Sequence, residues 1–270
     1  MEKSIAIYVA SHKKYEIPKQ ENYIPIQVGA MLNEHRFGYQ TDCEGDNISV
    51  KNPNYCELTA LYWIWKNSKA ENVGLVHYRR YFCLNSKNVK ASIIPTSKFL
   101  QDLEQVDIIL PSPFVWKKYT CFEYYCREAG REKDLQLVRK ILMSDYKDYV
   151  QSYDEVMEGN GASYCNMFVC KKELLNQYCI WLFDVLEKVE SQIDMTGYNS
   201  TEARVFGYLS ELLLNVWCKK QKLMIKYYPI ANIEKKRGIA ESLKQEYREV
   251  RKRTRELLQK TKRVKKEGID

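Results

Sequence analysis

No apolar run in this chain approaches the ~18 residues that cross a bilayer, which argues against a helical membrane span. No CxxC pair occurs among the nine cysteines. Two CxxxxC spacings do, Cys121/Cys126 and Cys165/Cys170, and neither matches a common zinc framework. Only three histidines are present, His12, His35 and His77, so a zinc site is not expected. GxGxxG, GxxxxGK(S/T) and GxSxG are all missing, which argues against dinucleotide, P-loop and serine-hydrolase chemistry. There are no internal repeats and no low-complexity linker. An odd cysteine count without a secretion signal predicts reduced thiols and a cytoplasmic protein.

What is present is globular. The 270 residues are 45% hydrophobic and 13% aromatic, with 21 tyrosines, enough for a substantial core. The formal charge of +8 is uneven. From Lys235 onward the chain carries 14 of the 43 basic and 6 of the 35 acidic residues, so the rest holds 29 of each and is neutral. This predicts a domain over 1–234 and a basic appendage over 235–270.

Short apolar runs at Ser4–Ala10, Tyr23–Ala30, Val73–Phe82, Val106–Pro113, Tyr164–Cys170 and Leu223–Ile230 read as strands. Helical spacing follows Asn54, with Glu57 placed for a capping box, then fills much of 122–157, 172–193 and 201–220. Strands alternating with helices predict an α/β fold, a mostly parallel sheet with helices on both faces. Over 237–266, Leu243, Val250, Leu257 and Val264 recur every seven residues among Lys, Arg and Glu. That is a long amphipathic helix, suited to an anionic membrane surface, which we favour, or to self-association as a coiled coil.

The sharpest polar feature is the end of "VGLVHYRRYF", where His77, Arg79 and Arg80 close an apolar strand. Guanidinium forks match phosphate oxygens, and ligands of open parallel sheets sit beyond the carboxyl ends of strands. If the strand runs on through the arginines, one faces the cleft and the other meets a core acid; the less favoured alternative is that both are structural ion-pair partners, and His77 could equally be a satisfied core histidine. Asp42, Glu44 and Asp46 form a compact acidic loop that could take Mg²⁺ or Mn²⁺, although a solvated turn is preferred. Asn160 and Asn166 flank a glycine-rich approach to a strand and offer amides to sugar hydroxyls. Arg204, Tyr208 and Glu211 share one helix face, where a carboxylate could act as general base or simply meet solvent.

The blocks "GDNISVKNPNYCELTALYWIWKN", "VGLVHYRRYF", "GNGASYCNMFVCKKELLNQYCIWLFDVLEKVE" and "RVFGYLSELLLNVW" resemble a family of bacterial capsular and exopolysaccharide biosynthesis proteins long labelled a domain of unknown function. The resemblance runs from about Ser4 to Ile230. It implies a Rossmann-type GT-A fold and glycosyl transfer from a UDP-sugar, with galactofuranose among the family's assigned donors, to a polyprenyl-linked or polysaccharide acceptor. The His77–Arg80 stretch stands where such folds usually carry a metal-binding DxD, so no metal cofactor is expected. Ser11 and His12 would line the nucleotide pocket. Gln27, Val28, Gly29, Asp46, Asn47, Asn52 and Asn54 would shape the donor site with Arg79. Asn160, Asn166, Met167, Arg204 and Tyr208 would border the acceptor. Glu211 would be the base of an inverting transfer, with Arg80 and His77 beside it and Glu57 or Asp46 next in line. A non-catalytic scaffold is the alternative. A nucleic-acid partner fits poorly, because the basic tail has interleaved acids and no aromatic stripe.

Overall fold

The computed structural model describes residues 4–16, 18, 20–84 and 92–233. The amphipathic helix expected over 237–266 and the expected boundary at 234/235 lie outside the described residues.

In chain order the strands are β1 (Ile5–Ser11), β2 (Tyr23–Gln27), β3 (Gln40–Thr41), β4 (Asn72–His77), β5 (Arg80–Phe82), β6 (Ile108–Pro111), β7 (Phe114–Val115), β8 (Gly161–Ala162), β9 (Phe168–Lys171), β10 (Ile225–Tyr228) and β11 (Ile230–Asn232). The main sheet runs β10-β6-β9-β4-β1-β2-β3. Along this path the pairings are parallel except at β9, which lies antiparallel between β6 and β4; off it, β5 joins the sheet antiparallel to β4, and β11 antiparallel to β5. The α/β, mostly parallel sheet expected from the alternation is therefore present.

All seven residues of β1 are buried, as a strand covered on both faces requires. Ala6, Tyr8 and Ala10 join the large core with Leu58, Leu61 and Phe168. Ile7 and Val9 alternate to the opposite face. Each fully buried aliphatic side chain contributes ~1.5–3 kcal/mol. Gly74 in β4 is needed for this packing. A Cβ there would sit 2.7 Å from Ile7 Cδ1 and 2.9 Å from the Phe168 carbonyl oxygen.

The helices are α1 (Asn52–Tyr55), α2 (Leu58–Asn67), α3 (Thr96–Asp102), α4 (Cys121–Glu128), α5 (Glu132–Asp145), α6 (Val150–Glu158), α7 (Lys172–Glu190) and α8 (Val205–Lys220). The capping box expected at Asn54 does not form. Cys56 takes φ 53° and splits that segment into α1 and α2, leaving Glu57 at the break. Tyr55 stacks on Phe206 with centroids 4.4 Å apart, and a Cβ at Gly207 would meet Cys56 at 3.2 Å. So α8 crosses closely over the break and fixes it.

Two further expectations change. The strand of "VGLVHYRRYF" does not run through the arginines: it turns at Tyr78 and Arg79, and His77 pairs with Arg80 in an antiparallel hairpin. The reason is tertiary, because β5 is captured by β11 along Phe82, Tyr81 and Arg80. The strand expected from Tyr164 starts only at Phe168, since Cys165 and Asn166 adopt φ 80° and 50°.

Candidate active site

The parallel strands β1, β2 and β4 end at one edge of the sheet, with Ala10 in register with both Ile26 and His77. A cavity of about 420 Å³ opens there. Ala10, His12 and Val28 line its floor. The β4–β5 hairpin supplies His77, Tyr78, Arg79 and Arg80, and the α1–α2 break supplies Asn52, Pro53, Cys56 and Glu57. Arg204 comes from the N-cap of α8, Tyr208 and Glu211 from its first two turns, and Cys165 from the turn before β9. The one-face spacing of 204, 208 and 211 holds: Arg204 donates to the Tyr208 hydroxyl at 3.2 Å and to Cys56 Sγ at 3.2 Å.

The peptide of Cys165 ties the chemistry together. Its N–H donates to Glu211 Oε1 at 2.8 Å, and its carbonyl accepts from His77 Nε2 at 2.6 Å. Burial pushes the imidazole down from its ordinary value, the nearby arginines push the same way, and Glu57 opposes them. The neutral ring therefore carries its proton on Nε2 and offers Nδ1 as an acceptor. Glu211 moves the other way. Burial, then the charge of Glu57, pushes its carboxyl from 4.5 up to about 8, while the Cys165 N–H, Arg80 and Arg204 pull it back. Next to Cys165, Asn166 donates to Glu57 Oε1 at 2.8 Å and to the Gly207 carbonyl at 3.0 Å, and accepts from Ser210. Two left-handed residues in succession thus position two carboxylates and a histidine. Strained backbone of this kind persists where its surroundings over-determine it.

A family model described as Domain of unknown function (DUF4422) matches residues 6–222. The chain belongs to that family. A solved apo structure of the WbbM bifunctional glycosyltransferase is similar, with a TM-score of 0.79 and 29% identity over 86% of this chain and 46% of that one. The chain thus spans just under half the length of that neighbour. No curated protein matches.

Of the side chains expected at the site from this family, His12, Val28, Asn52, His77, Arg79, Arg80, Arg204, Tyr208 and Glu211 line the cavity. The others are engaged elsewhere. Ser11 is buried and donates to the Lys13 carbonyl at 2.5 Å. Gln27 is fully buried, bridging the His35 carbonyl and the Phe37 N–H. Asn47 closes its own loop through the carbonyls of Cys43 and Gly45. Asn54 donates to the Ala203 carbonyl, and Met167 is fully buried. Asn160 is exposed, and its carbonyl accepts from Trp116 N–H. Gly29 acts indirectly. At φ 64° it leaves room for Asn52, whose Oδ1 would stand 2.7 Å from an added Cβ.

The acidic loop does not fit a divalent cation. Asp42 is fully buried rather than a solvated turn residue, and its carboxylate accepts from the N–H groups of Gly29 and Ala30 and from the Ser49 hydroxyl. Glu44 accepts from Thr41. Asp46 accepts from the Tyr62 hydroxyl and lies 3.9 Å from Lys66. Among the described residues, no group of three or more His, Cys, Asp and Glu is placed to hold a metal ion.

Glu57, expected first as a helix cap and only second as a base, and Cys165, expected in a strand, both line the cavity. The one signal for Glu57 was its carboxylate type; its hydrogen-bond donor Asn166 lies more than a hundred positions away.

Proposed function

We propose that this chain is a nucleotide-sugar-dependent glycosyltransferase that transfers a hexose from a UDP-sugar to a glycan acceptor in polysaccharide biosynthesis. One observation carries the reading. Arg79, Arg80 and Arg204 converge on a cavity at the carboxyl ends of parallel strands, and Glu211 stands in the same wall. Negative charge develops on a departing diphosphate, and fixed cations aimed there stabilise it most. In this reading Arg79 and Arg80 take the part that a divalent metal plays at a DxD motif. His77, with Nδ1 free to accept, orients a donor hydroxyl. Glu211 removes the acceptor proton in an inverting displacement. The similarity to a solved glycosyltransferase supports the general activity, and the family resemblance makes galactofuranose the first donor to try.

Thermal shift tests the reading directly. UDP is expected to raise the melting temperature in proportion to ln(1+[L]/Kd), more than GDP, CMP or dTDP do, and to keep doing so in EDTA. No stabilisation by any nucleotide would sink the proposal. Stabilisation that vanishes with EDTA and returns with Mn²⁺ would restore a metal site.

The acceptor in this proposal is polyprenyl-linked or a growing polysaccharide, and the basic segment 235–270 brings the enzyme to the anionic inner face of the plasma membrane. Each basic residue near such a surface contributes ~1 kcal/mol. Deleting residues 237–270 is expected to abolish sedimentation with anionic liposomes at low salt. Full-length protein that ignores the liposomes excludes this role, and a change from dimer to monomer on truncation assigns the segment to a coiled coil.

A further inference from the structure

Glu211 is reached from two sides. Beside the basic cavity lies a second one of about 280 Å³, and Arg80, Cys165, Tyr208 and Glu211 line both. The rest of the second wall has a different chemistry. It is lined by Tyr124, Tyr125 and Tyr164, with Leu212, Cys121 and Ala129, and by Glu128. Arg80 is the one cation among its lining residues, and it belongs to the shared wall. Phosphates are therefore matched to the first cavity, which Arg79 and Arg204 also line, and not to the second. A neutral sugar suits the second. The C–H bonds on one face of a sugar ring lie against an aromatic ring, while its hydroxyls reach phenol and carboxylate oxygens.

The rings are held in place before anything binds. Trp116 stacks on Tyr124 with centroids 3.7 Å apart and planes at 21°, and its indole N–H donates to the Tyr164 hydroxyl at 3.3 Å. The Tyr125 hydroxyl donates to Asp134, a fully buried carboxylate that also takes the Arg131 N–H at 2.8 Å. Walls fixed in advance reduce the ordering cost of binding.

Building on the glycosyltransferase reading, we propose that the second cavity is the acceptor subsite: it holds the terminal sugar of a neutral glycan against Tyr124 and Tyr164 and passes one hydroxyl to Glu211 through the shared wall. The hydroxyl oxygen bonds to the anomeric carbon of the sugar held in the basic cavity. The bond from that carbon to the diphosphate oxygen breaks, its electron pair leaves with UDP, and the hydroxyl proton goes to the Glu211 carboxylate. Of the acceptor contacts expected from the sequence, Tyr208 is kept, while Asn166 and Met167 lie buried behind the turn.

The test uses the full chain with saturating UDP and, as probes, the methyl glycosides of galactose, glucose, mannose and N-acetylglucosamine, read by saturation-transfer NMR. At least one glycoside is expected to bind saturably. Tyr124→Ala is expected to weaken it tenfold or more, and Tyr124→Phe to keep it. The UDP thermal shift is expected to stay unchanged in both variants. Glu128→Gln, at the exposed rim, gives a second loss of glycoside binding should Tyr124→Ala fail to fold. The proposal is overturned if no glycoside binds, if binding survives both Tyr124→Ala and Glu128→Gln, or if UDP weakens along with the glycoside in the Tyr124→Ala protein. A wild-type protein that ignores UDP removes the donor reading and this proposal with it. That outcome is distinct because the UDP response is measured separately.

Discussion

Changing Glu211 to glutamine is expected to lower turnover by ~10²-fold or more and to leave UDP affinity nearly unchanged. Glutamine has the same shape, and its amide oxygen can still accept the Cys165 N–H that now meets Oε1 at 2.8 Å. What is lost is the ability to take a proton. The wild-type carboxyl is held at about 8, chiefly by burial and next by the charge of Glu57. A base works best when its pKa lies near the working pH. The wild-type kcat/KM should therefore climb as pH rises and level off above about 8, and the residual rate of the variant should lack that limb. Normal turnover in the variant would end the assignment and move the search to Glu57, whose carboxylate lines the same cavity.

The same substitution has a signature in stability. An unfolded glutamate titrates at its ordinary 4.5, while the folded one titrates at about 8. Folding thus takes up a proton between those values. The stabilisation linked to it is whole below pH 4.5 and is lost as pH rises through about 8. Glutamine has no such loss. The Glu211→Gln protein should melt above wild type at alkaline pH, with the gap closing as pH falls toward 4.5. A gap that does not change with pH would show that the carboxyl is not perturbed in the folded protein.

The parts of this site that were legible in the sequence are those set by local periodicity. Arg204, Tyr208 and Glu211 share a face because helical spacing puts them there, and β1 and β4 announce themselves as short apolar runs ending in polar groups. The illegible parts depend on distant neighbours. Gln27, Asn47, Asn54 and Asn166 carry the same amide, which satisfies a backbone group as readily as a sugar hydroxyl. Only the fold shows that all four hold protein groups. The turn between His77 and Arg80 forms because β11, some 150 residues later in the chain, pairs with β5. The break at Cys56 forms under α8, so Glu57 enters the cavity instead of capping a helix. Asp42 read as part of an exposed acidic loop because its three donors come from Gly29, Ala30 and Ser49, outside the motif.

Changing Arg80 to alanine is expected to weaken UDP by ~10- to 100-fold, the effect of losing a charged hydrogen bond of ~1.5–3 kcal/mol, and to change uridine affinity little. The hairpin decides which arginine matters most. Arg80 stands in β5, paired with His77 on one side and with Asn232 on the other, so its backbone is fixed in two ladders. Arg79 lies in the turn, with its guanidinium 5.6 Å from the centre of the Tyr78 ring, and its replacement should cost less. Arg80 also lowers the Glu211 carboxyl and faces both cavities. Its loss should therefore push Glu211 further up and move the alkaline plateau of kcat/KM to higher pH. Arg80→Lys keeps the charge but not the planar fork, so it should restore the position of the plateau while recovering only part of the UDP affinity. Equal losses for uridine and UDP in the alanine variant would mean that Arg80 does not read the diphosphate. An unmoved plateau would mean that it does not reach Glu211.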